Sequence, residues 1–287
     1  MKHSQQELIQ KAYEIRKDII DMLLAAGSGH SAGPLGLADI FTALYFEVLN
    51  HDPKNPDWIE RDKVVVSNGH VCPVWYATLA NAGYFPKEWL KTLRKLNSKL
   101  QGHPNRLDTP GVENSSGPLG QGFSQAIGMA LADQLDGRKC QTYVFLGDGE
   151  LDEGQCWEAI MFAAGKKMSH LTAIVDRNNI QIDGHTEDVM PLENLAEKFE
   201  AFNWDVQEID GHNIDSIVDA LNRAKTVWGK PSVIIANTVP GKGVDFMEWK
   251  PEWHGKPPNE EEASESRREL KNEMERLRTL KGNINYE

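Results

Sequence analysis

The stretch "YVFLGDGELDEG", Tyr143 to Gly154, opens with four residues that read as a buried strand, turns at two glycines around Asp148, and continues into further acid. A helix starting there would present free N–H groups that attract an anion, yet Asp148, Glu150, Asp152 and Glu153 crowd the same turn. Outward from this stretch, β-rich runs at 143–146, 171–175, 204–209 and 233–238 are separated by helical patterns at about 153–167, 192–202 and 213–228. That alternation predicts βαβ crossovers, hence an α/β fold with a parallel β-sheet flanked by helices on both faces. Ligands of such sheets sit beyond the carboxyl ends of the strands. The glycine- and acid-rich segments fall at those ends.

Upstream, Leu8, Ile9, Ala12, Ile15, Ile19, Leu23 and Leu24 recur at helical spacing and predict an amphipathic helix over about 4–26. A second helix is expected from about 36 to 49, which gives an N-terminal helical segment over about 4–50. The run 64–66 reads as a strand before "SNGH", and 123–135 reads as a helix rich in small residues. The charge-dense tail over about 259–281 predicts a solvated helix with i,i+4 ion pairs. With no internal repeat and no disordered linker, the expectation is a single domain over 1–287.

Composition narrows the function. The chain of 287 residues is 40% hydrophobic, enough for a sizeable core. Its 31 basic against 43 acidic residues leave a net charge of −12, which argues against nucleic acid or an anionic membrane as the main partner. No apolar run approaches the roughly 18 residues of a membrane span, and the charged, helix-periodic start does not read as a signal peptide. A soluble, cytoplasmic protein is expected. Cys72, Cys140 and Cys156 share no metal-ligand spacing and read as reduced packing residues.

Asp148 follows one strand, and Asn178 in "VDRNNIQIDG" follows the next. If the strands are neighbours, the two side chains converge. A carboxylate, an amide oxygen and a backbone carbonyl suit a hard cation such as Mg²⁺, which commonly recruits substrate phosphates as further ligands. The alternative is plain: a lone "GDG" is a turn. "DRNNIQIDG" fails as an EF-hand, because Ile180 and Gln181 stand where a ligand and a glycine belong.

"GDGELDEGQCWEA" followed by "VDRNNIQIDG" resembles the thiamine diphosphate fingerprint that begins with GDG and ends with an asparagine about 30 residues on. "GSGHSAGPLG", "VVVSNGH", "LQGHPN", "GVENSSGPLGQGFSQAIGMA" and "WHGK" are similar to transketolase segments and occur in that family's order, from about residue 8 to residue 260. One departure is local: the family usually reads GHPG after its first histidine, and this chain reads Gly29-His30-Ser31-Ala32-Gly33. The other is large, since a single-chain transketolase continues into a pyrimidine-binding domain and a C-terminal domain. The resemblance therefore implies the N-terminal, diphosphate-binding subunit of a split transketolase.

It further implies transfer of a two-carbon ketol unit from a ketose phosphate to an aldose phosphate, with thiamine diphosphate as cofactor and Mg²⁺, or Ca²⁺ or Mn²⁺ in its place. By resemblance Asp148, Asn178 and the carbonyl of Ile180 would hold the metal, and Gly149 would offer its N–H to a phosphate oxygen. Gly117, Pro118, Leu119 and Ile182 would line the thiazolium. His70 and His254 are placed near the diphosphate, His30 and His103 near the donor's carbonyl and first hydroxyl, and catalytic roles are expected for His30, His103 and His254. Glu153 would face a neighbouring subunit, whereas Glu150 and Asp152 read as solvated first-turn carboxylates. The glutamate that activates the cofactor belongs to the pyrimidine domain, so a C-terminal partner subunit is implied, in a heterotetramer. A 1-deoxyxylulose-5-phosphate synthase-like subunit, or the α chain of a 2-oxoacid dehydrogenase, would share the GDG and asparagine site. A Mg²⁺-dependent phosphohydrolase using Asp148 and Glu150, and a non-catalytic homologue, are the readings from other classes.

Overall fold

In the computed structural model, which describes residues 2–282 with side chains through Leu277, helix α1 (Gln5–Ala26) starts at a capping box. Ser4 accepts from the Glu7 N–H while the Glu7 side chain accepts from the Ser4 N–H. Then follow α2 (Ala32–Ala43), β1 (Lys63–Val66), α3 (Cys72–Ala82), α4 (Gln121–Leu135), β2 (Thr142–Gly147), α5 (Gly154–Gly165) and β3 (Leu171–Arg177). A two-residue hairpin, β4 (Ile180–Gln181) and β5 (Gly184–His185), leads into α6 (Thr186–Val189), α7 (Leu195–Ala201), β6 (Asp205–Asp210), α8 (Ile214–Ala224), β7 (Ser232–Asn237) and α9 (Glu260–Gly282). Met1 and residues 283–287, part of the span expected to be one domain, lie outside the described residues.

Five strands form one sheet in the order β1-β2-β3-β7-β6, and each pair is parallel. The central strands β2 and β3 are buried on both faces because each face carries helices, whereas the edge strand β6 is only half-buried. Alternation along β2 divides the core: Tyr143 and Phe145 join a cluster with α1, α2, α3 and α8, while Val144 and Leu146 join one with α4, α5 and α7. Phe145 stacks on Phe41 of α2 at 4.2 Å; burying a side chain of that size stabilises by about 2–3 kcal/mol.

Two elements differ from the sequence reading for one reason. The second helix begins at Ala32, four residues before the expected start, and its end is a π-helical turn over Leu44–Val48. Helix α3, in "CPVWYATLANA", carried no amphipathic signal at all. Every residue of α2, and every one from Cys72 to Ala80 in α3, is buried. A helix surrounded by core has no polar stripe to reveal its period. The acidic tail helix α9 carries the expected kind of i,i+4 pair in Lys271–Glu275 (3.9 Å) beside the i,i+3 pairs Arg268–Glu265 and Arg276–Glu273, but it is not simply solvated: it docks on α1 through buried Ala263 and Leu270 and an Arg267–Asp21 bond of 2.6 Å.

Candidate functional site

Three neighbouring strands deliver their carboxyl ends to one place. The parallel register sets Gly147 opposite Asp176, so the turn after β2 and the turn after β3 lie side by side. Asn68 and His70 come from the end of β1, Asp148 and Glu150 from β2, and Asp176, Asn178 and Ile180 from β3 and its exit. All of these line a cavity of about 340 Å³, together with His30, His103, Gly117, Leu119, Gln181, Ile182 and His254. The strand-end crevice thus contains residues from segments more than 200 positions apart.

The four histidines singled out in the sequence share this cavity. The ring centroids of His30 and His70 are 4.8 Å apart, those of His70 and His254 5.2 Å, and those of His30 and His254 5.5 Å. His103 lies at the exposed rim. Burial, reinforced by the other histidines and Arg94, pushes the His30 imidazole down to about 4, and burial likewise lowers His70, His254 and His103. The inner three are therefore neutral near pH 7, with one nitrogen able to donate and one to accept. Ser31, at the local departure from the usual motif, donates to the Lys256 carbonyl at 2.6 Å and ties the His30 loop to the His254 loop.

The acids behave differently from the sequence reading. Asp148 is 1% exposed and accepts from the N–H groups of Gly149 (2.8 Å) and Asn179 (2.7 Å) and from Arg177 Nη1 (3.1 Å). Arg177 also donates to Glu187 and Glu193. Asp176 accepts from Thr238 Oγ1 (2.5 Å) and from Asn178 Nδ2 (2.8 Å), which turns the Asn178 oxygen toward the Ile180 N–H (3.0 Å). Glu150 was expected to be a solvated first-turn carboxylate; it is 2% exposed, because a 3-10 turn over Gly149–Asp152 intervenes before α5 and swings its side chain inward. Asp152 is exposed. Burial raises all three inner carboxyls, Asp176 to about 7 with the Asp148 charge adding to it.

The residues present fit a phosphorylated cofactor with a divalent cation. Among the described residues, His30 Nδ1, His254 Nδ1, Asn68 Oδ1 and Gln181 Oε1 are buried around the cavity and have no hydrogen-bond partner, and such atoms cost about 1–3 kcal/mol each unless something bonds them. Of the three buried carboxylates, Asp148 alone has a cationic partner among the described residues. Burial raises Glu150 and Asp176, with no cationic side chain beside either among the described residues, so a cation bound at the strand ends would stabilise their ionised forms. No three His, Cys, Asp or Glu side chains converge as metal ligands among the described residues; the expected set instead combines one carboxylate, one amide oxygen and one backbone carbonyl, donors suited to a hard ion.

Ten of the sequence-selected residues line the cavity: His30, His70, His103, His254, Gly117, Leu119, Asp148, Gly149, Asn178 and Ile180, and Ile182 joins them with its side chain 72% exposed at the mouth. Pro118 and Glu153 do not line it and are both exposed. The Gly149 N–H, expected to face a phosphate, donates to Asp148 Oδ1. Sequence reading missed Asn68, Glu150, Asp176, Arg177 and Gln181. Position was the available signal for Asn68 and Asp176, which sit at strand ends beside motif residues.

The family described as "Transketolase, thiamine diphosphate binding domain" matches residues 6–280. A 6-deoxy-6-sulfo-D-fructose transketolase subunit from Clostridium sp. (strain MSTE9) is 48% identical over 250 residues, covering 87% of this chain and 91% of the relative. An apulose-4-phosphate transketolase subunit from Actinobacillus succinogenes is 44% identical over 273 residues, covering 94% of this chain and 98% of the relative. The solved transketolase of Campylobacter jejuni superposes with a TM-score of 0.87 at 38% identity, covering 93% of this chain but 43% of that one. The chain thus spans nearly the full length of the subunit relatives and less than half of the solved enzyme.

Proposed function

The chain belongs to the transketolase family and carries its thiamine diphosphate binding domain, and from that premise we propose that it is the N-terminal subunit of a two-chain enzyme that moves a two-carbon ketol unit from a ketose phosphate to an aldose phosphate. The observation that carries this reading is the convergence of four histidines, Asp148 and Asn178 on one cavity at the carboxyl ends of β1, β2 and β3. The match to relatives named as subunits, nearly end to end, supports the two-chain form.

In this reading Asp148, Asn178 and the Ile180 carbonyl hold Mg²⁺ against the diphosphate, and His70 and His254 hold the diphosphate itself. Bound there, thiamine diphosphate supplies the nucleophilic carbon and the electron sink. This chain's own residues bind, orient and move protons. Gly117, Leu119 and Ile182 form the apolar wall beside the ring, with Pro118 covering it from outside. Neutral His30 and His103 donate to the donor's carbonyl and first hydroxyl, and the unpartnered His30 Nδ1 is an atom at which a proton can be exchanged. Glu153 faces the neighbouring subunit in the assembled heterotetramer, a role supported by its exposure beside the site.

A single domain and a cytosolic setting belong to the same proposal. The latter is supported by three free, buried cysteines and by the absence, among the described residues, of any helix long and apolar enough to cross a membrane.

The test is ketol transfer by the purified chain alone and by the chain co-purified with its partner. Transfer from a ketose phosphate is expected only with the partner; robust transfer by the chain alone overturns the two-chain reading. Pyruvate as an equal or better donor would favour the synthase-like or dehydrogenase alternatives. Thermal stabilisation by thiamine diphosphate with Mg²⁺, but by neither alone, separates the proposal from a phosphohydrolase.

A further inference from the structure

Glu150 makes contacts that its place in the sequence does not suggest. One carboxylate oxygen accepts from Ser67 Oγ at 2.5 Å and from the Gly120 N–H at 2.7 Å; the other accepts from the Gly147 N–H at 3.0 Å. Those donors belong to three different walls of the cavity. Ser67 ends β1 and precedes Asn68 and His70, Gly120 closes the turn that begins at Gly117, and Gly147 precedes Asp148. Ser67 Oγ in turn accepts from the Phe123 N–H at 3.1 Å, which draws the first turn of α4 into the same junction. The junction is tight. A Cβ at Gly122 would lie 2.5 Å from Ser67 Cα, and Gly120 has φ of +81°, so each position is restricted to glycine by contact or conformation.

We infer that Glu150 is the positioning residue that holds the thiazolium wall, the Asn68–His70 turn and the Asp148 turn in register for the cofactor, a role that rests on the reading given under Proposed function. It acts through neighbours. Its own oxygens are occupied by the three walls, while the groups that remain free around the cavity, such as Asn68 Oδ1 and His254 Nδ1, stand on or beside the walls it joins. Charge-assisted bonds to backbone N–H groups are stronger than neutral ones. Removing the acceptor leaves buried N–H groups of Gly120 and Gly147 unpaired, so both turns are released together.

A matched control exists at the opposite end of the sheet. Asp62, a carboxylate 9% exposed, accepts from the N–H groups of Asn50 (2.9 Å) and Gln141 (2.8 Å) and so joins loops at the amino ends of β1 and β2. The test compares wild type, Glu150→Gln, Glu150→Ala and Asp62→Asn, each in complex with the co-purifying partner. Two quantities are read: amide hydrogen exchange without cofactor, and the Kd for thiamine diphosphate in the presence of Mg²⁺. Glu150→Gln keeps one oxygen acceptor but places an NH₂ group against the Gly147 N–H, and it carries the test should the alanine variant not fold.

Faster exchange at Gly147 is expected in both Glu150 variants, and at Gly120 and Phe123 in Glu150→Ala, with none of these changes in Asp62→Asn. Kd should rise about tenfold for Glu150→Gln and toward 100-fold for Glu150→Ala, the range for losing a residue that orients ligand-bearing groups, with Asp62→Asn close to wild type. If wild type does not bind thiamine diphosphate, the proposed function falls and takes this inference with it. If wild type binds and the Glu150 variants match it, or Asp62→Asn weakens binding equally, the inference alone falls.

Discussion

The two ends of the central strands use buried carboxylates in opposite ways. At the amino ends, Asp133 is held between Lys63 Nζ (2.5 Å) and Arg138 Nε (2.7 Å); burial would raise its carboxyl, and these partners pull it below the ordinary range. At the carboxyl ends, Asp148, Glu150 and Asp176 are raised by burial, and only Asp148 meets a cation among the described residues. At the amino ends Asp133 is satisfied by two cations and Asp62 by two backbone N–H groups. The opposite end holds carboxyls that burial raises and, among the described residues, unpartnered polar atoms around a cavity, an arrangement that a ligand completes. Carboxylates alone therefore do not mark the site; what marks it is the group of unpartnered polar atoms that faces the cavity beside them.

The largest effect that could break this contrast is at Asp148. Asp148→Ala should weaken thiamine diphosphate binding with Mg²⁺ by more than about 100-fold, beyond the range for residues that only support a ligand; calorimetry that returned a near-wild-type Kd would erase the distinction between the two ends. Next, His30→Gln should lower kcat about 100-fold, the lower part of the range for proton transfer by a positioned side chain, with cofactor Kd near wild type. At the amino end, Lys63→Met removes one of two cations from Asp133. Urea unfolding should show a loss of about 1.5–3 kcal/mol, the scale of a hydrogen bond to a charged group, while kcat and Kd stay unchanged.

The smallest effect is a pH dependence. His30 is held near 4 in the folded chain against an ordinary value of 6.5, so between those values the unfolded chain binds more protons. Its contribution is present above about pH 6.5 and is lost as pH falls toward 4. The cofactor-free chain should therefore lose stability more steeply over that window than His30→Gln does, as read by unfolding midpoints at a series of pH values. Parallel curves for the two would show that His30 is as solvated as an ordinary surface histidine.

The legible part of the site was the part built from motif residues at strand ends. Asp148, Asn178 and the four histidines could be read because each stands in a short segment of recognisable pattern, most of them glycine-rich and several where a strand stops. Glu150 could not. Its neighbours in sequence suggested a helix start, and only the 3-10 turn over Gly149–Asp152 points it at Ser67 and Gly120, which are 83 and 30 positions away. Arg177 was hidden for a related reason: it lies just past the apolar run 171–175, at the last position of β3, and its ion pair with Asp148 exists only because the strands adjoin.

By itself the sequence determined the α/β class and the five strands of the sheet, since period-2 and period-3.6 patterns and turn residues act over a few positions, and its motifs carried the family resemblance. The tertiary structure decided which acid is neutralised, which histidines meet, and where the buried helix α2 and the largely buried helix α3 begin. Those outcomes depend on burial and on distance between segments far apart in the chain. The acids of "YVFLGDGELDEG" accordingly divide into an inward pair, Asp148 and Glu150, and an outward pair, Asp152 and Glu153, a division made by the turn they sit on and by what surrounds it.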